Sequence, residues 1–166
     1  AKNPASVVSK EAIQALLSRV YLYMGNWASA AEYATKVIDS KKYKMWTVAD
    51  MTESACFTED ARTSGEVIFE VYGALSESYG GGNDAICSMT SKDKYGDAGA
   101  SLDLVNLYEA GDVRGTLFLK EQDEKSGQQV YWTSKYVGKG LAKPDVANII
   151  VLRLSEMYIN RAEATI

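Results

Sequence analysis

The chain has 166 residues, of which 46% are apolar and 24% are charged, so it is long enough and apolar enough to bury a core. Its net charge is −4, and no cluster of lysines and arginines marks a phosphate-binding face, which argues against nucleic acid as a partner. The sequence contains no histidine, which excludes catalysis and metal binding by histidine within the chain. No apolar run approaches the roughly 20 residues that a membrane span needs.

The clearest pattern is a pair of helices over residues 9–40. Gly25 suits the end of the first helix and Asn26 suits the N-cap of the second, and so short a joint makes the two helices antiparallel. We expect Ala30 and Ala34 to allow close approach of the first helix. The apolar stripe predicted to pack on them consists of Ile13, Leu16, Leu17, Val20 and Met24, with direct contact through Leu17 and Val20.

Aromatic residues recur along both helices of the predicted hairpin. Because aromatic side chains at helical spacing usually belong to a core, they are interpreted as packing of this hairpin. They are Tyr21, Tyr23, Trp27 and Tyr33.

The rest of the chain alternates short elements with loops. A β-rich apolar run predicts a strand at 66–72, and a glycine-rich, polar stretch predicts a long loop at 73–100. A short helix is expected at 102–110 and two strands at 116–137, with a polar turn between them. Helical spacing then returns over 150–166, and no capping residue follows that helix, which predicts that the natural protein continues.

The residues that could carry chemistry are few. Cys56 and Cys87 lie far apart and outside any CxxC motif, so two thiols are favoured over a disulfide, although the sequence leaves their pairing open. Asp93 and Asp97 sit in the glycine-rich stretch, where we expect solvated carboxylates and neither a cation site nor a hydrolytic pair. The sequence therefore predicts no catalytic residue, no metal site and no cofactor.

Several segments carry a family resemblance. The run LLSRVYLYMGNWASAAEYATKVIDS resembles a tetratricopeptide repeat, with Gly25 at the turn and Ala30 on the closely packed face. The hairpin at 12–40 and three later segments are similar, in the same order, to the SusD/RagB family. The later segments are SGEVIFEV at 64–71, LVNLYEAGDVR at 104–114, and KYVG followed by NIIVLRLSEMYINRAEA at 135–164.

This resemblance implies a fold and a function. The fold would be mainly α, with tetratricopeptide-like helical hairpins, a few short strands and long loops, and residues 1–166 would form one partial, truncated SusD-like domain whose segment 150–166 starts a later repeat helix. Members of the family are lipid-anchored proteins on the outer surface of Bacteroidetes cells. They capture glycans or other nutrients and work with a TonB-dependent transporter of the SusC type. The expected location is therefore the outer membrane surface, through a lipid anchor that this chain does not contain.

The resemblance also directs attention to aromatic residues in and near the long loop, because a flat ring can stack on a sugar while polar side chains bond its hydroxyls. We expect Tyr79 or Tyr95 to be the stacking platform, with Asn83 and Asp84 as hydroxyl partners. The remaining candidate ligand-binding residues are Tyr72, Trp46 and Trp132, with Tyr131 beside the last.

Two functional hypotheses follow. The first is a non-catalytic nutrient-binding protein, with glycan as the default ligand. The alternative is a tetratricopeptide-type scaffold for protein–protein interaction that has no small-molecule site. The first predicts exposed ring faces grouped in the loop region, and the second predicts an apolar or charged groove along the helices.

Overall fold

The computed structural model describes residues 4–51, 65–74, 76, 85–90, 95–122, 127–136 and 146–166. The chain forms two compact units. Unit 1 comprises Ala1–Trp46, Arg62–Tyr72 and Asn148–Ile166, and unit 2 comprises Thr47–Ala61 and Gly73–Ala147. Helices predominate over a few short strands, which confirms the mainly α fold class. Among the described residues, no helix is both long enough and apolar enough to cross a membrane.

Unit 1 opens with the predicted hairpin, made of α1 (Lys10–Tyr23) and α2 (Trp27–Asp39). The turn follows its capping chemistry: Gly25 has a φ of +71°, its N–H donates to Leu22 O at 3.0 Å, and Asn26 N–H donates to Tyr21 O at 2.9 Å. Asn26 Oδ1 then accepts from Ser29 N–H at 3.2 Å and caps α2. The antiparallel pair is confirmed.

The buried face of α1 differs from the predicted one. Ala30 and Ala34 are fully buried, as expected, but Val20 is 42% exposed and Met24 is 70% exposed. Ile13 and Leu16 are exposed as well, and Leu17 is only partly buried. The residues that α1 buries are Glu11, Ala12, Ala15, Ser18 and Leu22. The prediction was wrong because the contact is made by small side chains, which let the two backbones approach closely.

The aromatic residues of the hairpin divide in two. Tyr21 and Tyr33 stack with ring centroids 5.6 Å apart, which confirms their packing role. Tyr23 is 84% exposed and Trp27 is 50% exposed, so the prediction that they pack the hairpin was wrong. Both lie at the turn end of their helices, where no third element of unit 1 covers them among the described residues.

Helix α6 (Leu154–Glu163) completes the helical layer of unit 1 by packing on α2. A buried polar relay joins the three helices: Asn160 Nδ2 donates to Ser18 Oγ at 3.3 Å, and Ser18 Oγ donates to Ala30 O at 3.0 Å. Because buried polar groups must be paired, this relay restricts how the helices can slide against one another.

Two antiparallel strands, β1 (Val67–Val71) and β4 (Ile149–Arg153), pack against these helices. The predicted helix from residue 150 was wrong at its start, because the β-branched Ile149 and Ile150 pair with β1 and α6 begins only at Leu154. Buried Glu66 secures the joint: its carboxylate accepts from Ser155 Oγ at 3.1 Å and pairs with Arg153 at 3.3 Å. The core formed here consists of Ala12, Ala15, Ala34, Val37, Ile68, Leu152, Leu154 and Met157.

Unit 2 contains shorter elements. They are α3 (Val48–Met51), α4 (Ile86–Met89), α5 (Leu102–Asn106), a 3₁₀ turn (Val113–Leu117) and the antiparallel strands β2 (Phe118–Gln122) and β3 (Gln129–Thr133). Helix α4 interrupts the predicted loop at 73–100, and α5 is shorter than the predicted 102–110. The strands expected within 116–137 are present, and Cys87 is buried in α4, whereas Cys56 lies outside the described residues.

Candidate ligand-binding surface

The candidate residues fall into three groups. Tyr79, Asn83 and Asp84 lie outside the described residues, so their role stays a prediction. Trp46 and Tyr72 belong to unit 1, while Tyr95, Tyr131 and Trp132 belong to unit 2.

In unit 1, Trp46 takes part in the joint that Glu66 secures. Its backbone N–H donates to Glu66 Oε2 at 3.3 Å, and the guanidinium of Arg153 lies 5.4 Å from the ring centroid. This contact stabilises the position of the indole, since a cation over a ring face is attracted to it. Tyr72 directly follows β1 and is 44% exposed.

In unit 2, the strands β2 and β3 place Trp132 directly opposite Leu119. Residues paired across an antiparallel ladder project from the same face of the sheet, so these two apolar side chains lie side by side. Trp132 is half-buried and Leu119 is 48% exposed. We call this pair the Trp132–Leu119 strip. Leu119 was not among the predicted site residues.

The segment that follows Tyr95 runs beside β3. Ala100 N–H donates to Tyr131 O at 2.7 Å, in an antiparallel bridge on the side of β3 away from β2. This register puts Gly99 opposite Trp132, so the indole has Leu119 as one cross-strand neighbour and a glycine as the other. Tyr95 itself is 50% exposed, and its N–H donates to Ser88 O at 3.2 Å.

On the opposite face of the β2–β3 hairpin, Phe118 packs against Tyr108. Phe118 contacts the ring of Tyr108 at 5.4 Å between centroids, and the guanidinium of Arg114 lies 5.5 Å from the Tyr108 centroid. Asp112 holds that guanidinium through two carboxylate oxygens, at 3.0 Å from Nε and 2.5 Å from Nη2. Side-chain contacts therefore cover one face of the hairpin, and the Trp132–Leu119 strip lies on the other face.

The Asp112–Arg114 pair gives a direct electrostatic prediction. Hydrogen bonds from the Arg114 guanidinium favour the ionised carboxylate and lower the pKa of Asp112 from 3.8 to about 2. We expect NMR titration of the Asp112 carboxyl carbon to show this pKa, and Arg114→Gln to return it towards 3.8. The pair then persists down to about pH 2 and breaks below it. An unchanged Asp112 pKa in the variant would contradict the assigned contact.

Unit 1 also contains a groove of about 900 Å³ along α2. Its small residues are Ala28, Ala31 and Thr35, and charged groups such as Lys36, Asp39 and Arg161 stand beside them. None of the predicted site residues lines this groove. Within the described part of the chain, no group of three or more cysteine or carboxylate side chains is arranged to hold a metal ion.

The chain was compared with protein families, curated proteins and solved structures. No protein-family model matches the sequence, and no curated protein matches it. A SusD superfamily protein from Bacteroides vulgatus shares 28% identity with a TM-score of 0.82, over 98% of this chain and 37% of its own. A SusD superfamily protein from Bacteroides thetaiotaomicron shares 28% identity with a TM-score of 0.77, over 98% of this chain and 38% of its own.

A third similar structure, from Bacteroides vulgatus, is provisionally described as a sugar-binding protein. It shares 29% identity with a TM-score of 0.76, over 95% of this chain and 35% of its own. The chain thus spans little more than a third of the length of these structures, while nearly all of its own residues match their fold. With 28% identity and TM-scores of 0.82 and 0.77 over nearly its whole length, the chain is similar in sequence and fold to SusD superfamily proteins.

Proposed function

We propose that the chain is part of a non-catalytic protein that binds glycans at the cell surface. The observation that carries the proposal is the Trp132–Leu119 strip, a half-buried indole beside a leucine that is 48% exposed, in a chain similar to SusD superfamily proteins. The 29% identical structure described as sugar-binding supports glycan as the ligand class. Tyr95, half exposed in the same unit, supports it further.

The chemistry of the strip suits a sugar ring. A pyranose has an apolar C–H face, which stacks on a flat aromatic ring, and a rim of hydroxyl groups, which bond polar side chains or water. Each hydroxyl bond at a wet surface adds only about 0.5–1.5 kcal/mol, because water competes for it. We therefore expect the ring contact to dominate affinity, with Asn83 and Asp84 as predicted hydroxyl partners.

The test is a calorimetric titration of the protein against a panel of glycans. For the preferred glycan, we expect Trp132→Ala to lower affinity at least about tenfold, the equivalent of about 1.4 kcal/mol. Trp27→Ala is the control, because Trp27 is a tryptophan that is 50% exposed but lies on the hairpin of unit 1. The affinity of the Trp27→Ala variant for the same glycan should equal that of the unchanged protein.

Two outcomes would contradict the proposal. One is the absence of binding to every glycan of the panel, and the other is an equal loss of affinity in the Trp132 and Trp27 variants. The Tyr79→Ala, Tyr95→Ala double variant measures what the 73–100 segment adds. An assay for new reducing ends after long incubation tests the non-catalytic part, and we expect none to form.

A second candidate function is the protein-interaction scaffold, and the groove along α2 favours it. Small residues between charged side chains suit a peptide or a helix better than a sugar, since the groove residues Ala28, Ala31 and Thr35 offer no ring to stack on. The titration separates the two candidates, because a scaffold without a small-molecule site binds no glycan of the panel.

For the whole protein, we extend the proposal to the outer membrane surface and to a TonB-dependent transporter of the SusC type as partner. The similarity to SusD superfamily structures is what supports this extension. Protease treatment of intact cells should digest the protein, and the transporter should co-purify with it from detergent-solubilised outer membranes. A protein protected in intact cells would contradict the proposed location.

A further inference from the structure

We infer that Gly99 is a positioning residue for ligand binding, because it sets the orientation of the Trp132 indole. This inference rests on the proposed function, in which Trp132 is the stacking platform. Gly99 does not touch the ligand and affects binding only through the Trp132 ring beside it.

The geometry starts from the strand register. Ala100 bridges Tyr131, so Gly99 is the cross-strand neighbour of Trp132, and a side chain at position 99 would project from the same face as the indole. A Cβ placed on Gly99 would lie 3.8 Å from Cζ3 of Trp132 and 3.1 Å from Cγ1 of Val130. The indole therefore lies next to bare backbone, and Val130 closes the space beneath.

The two sides of Trp132 are unlike each other. On the β2 side, Leu119 presents a full side chain directly opposite the indole. On the other side, Gly99 presents none, so only backbone borders the ring there. Because stacking on a sugar depends on the orientation of the ring, the space that Gly99 leaves beside the indole bears on binding.

A side chain at position 99 would disturb this arrangement in a defined way. A distance of 3.1 Å is shorter than ordinary carbon–carbon contact, so Val130 must move by a few tenths of an ångström, whereas the added Cβ itself meets the indole at an ordinary 3.8 Å. We infer that the displaced Val130, on the same face as Trp132, changes the packing of the ring. The position has no positive φ, so the change to alanine adds no backbone strain of that kind. The expected effect is a reoriented ring in an intact fold.

The experiment uses 5-fluorotryptophan-labelled protein and ¹⁹F NMR, which gives one resonance for each of the three tryptophans. Loss of a resonance in Trp132→Phe assigns Trp132. We expect Gly99→Ala to shift the Trp132 resonance and leave the other two in place, which also shows that the variant is folded. Gly115→Ala is the matched control, because its added Cβ meets Tyr108 at an ordinary 3.5 Å, and it should shift none of the three.

Affinity is then measured on the same variants. We expect Gly99→Ala to weaken glycan binding about three- to tenfold, or about 0.7–1.4 kcal/mol. The Gly99→Ala, Val130→Ala double variant should recover both the resonance position and the affinity, because removing Cγ1 of Val130 restores the space. Val130→Ala alone serves as the reference for that recovery.

The outcomes separate this inference from the proposed function. An unshifted Trp132 resonance in Gly99→Ala overturns the inference, and so does a shifted resonance with unchanged affinity. A Trp132 resonance that responds to Gly99→Ala, in a protein that binds no glycan at all, overturns the proposed function while leaving the positional role of Gly99 standing.

Discussion

Replacing Met157 with alanine is expected to lower the free energy of unfolding by about 2–5 kcal/mol. Met157 is fully buried in the core of unit 1, on the face of α6 that packs against α2. The change removes three heavy atoms and leaves a cavity, because helices on one side and strands on the other can collapse only in part. Chemical denaturation followed by circular dichroism measures the loss.

The control for this prediction is Ile159→Ala on the same helix. Ile159 is 64% exposed, so we expect its removal to change stability by no more than about 0.5 kcal/mol. Equal effects of the two substitutions would mean that α6 does not bury the face described here.

The second large effect is expected from Ala30→Leu, which should destabilise the protein by about 1–3 kcal/mol. Ala30 is fully buried, and its carbonyl accepts the hydrogen bond from Ser18. A leucine side chain has no space there without moving α1 away from α2, which also strains the polar relay to Asn160. Thermal and chemical unfolding of the variant measure the cost.

Ala28→Leu is the matched substitution, two residues earlier in α2 but on its exposed side. It should leave the free energy of unfolding within about 0.5 kcal/mol of the original. If Ala30→Leu were tolerated equally well, the close contact between the two helices would be wrong.

The sequence predicted the hairpin well because its determinants are local. The positive φ of Gly25 and the capping side chain of Asn26 determine the turn, so its position does not depend on contacts distant in sequence. The buried face of α1, in contrast, was predicted wrongly. Large apolar side chains normally mark a core, yet this contact is built from alanine and serine, and Val20 is left 42% exposed.

The start of the last helix was missed for a tertiary reason. Residues 149–152 have apolar side chains that fit a helix or a strand, and only the pairing of this segment with β1 decides between the two. That partner lies far away in sequence, since the bond between Asn148 and Glu70 spans 78 residues. No local pattern contains this information.

The candidate surface could be predicted in part. The family resemblance made Trp132 a candidate ligand-binding residue, but the neighbours of its side chain depend on strand register. A polar stretch between two strands does not fix their register to the residue, and a shift of one residue would put a different side chain opposite Trp132 in place of Leu119. The bridge that brings Gly99 beside the indole joins segments separated by α5 and the 3₁₀ turn, and it has no signal in the sequence.

The spacing of contacts along unit 1 also sets the order in which it can fold. The hairpin closes through a two-residue joint, whereas Arg19 must wait for Glu156, 137 residues later, and Ser18 must wait for Asn160, 142 residues later. At about 5–20 residues per second, a chain on the ribosome carries its completed hairpin for roughly 5–25 s before α6 is made. Throughout that interval the face of α2 that carries Ala34 and Val37 lacks the helix that packs on it, so the growing chain is most open to chaperone binding or misassembly at this face.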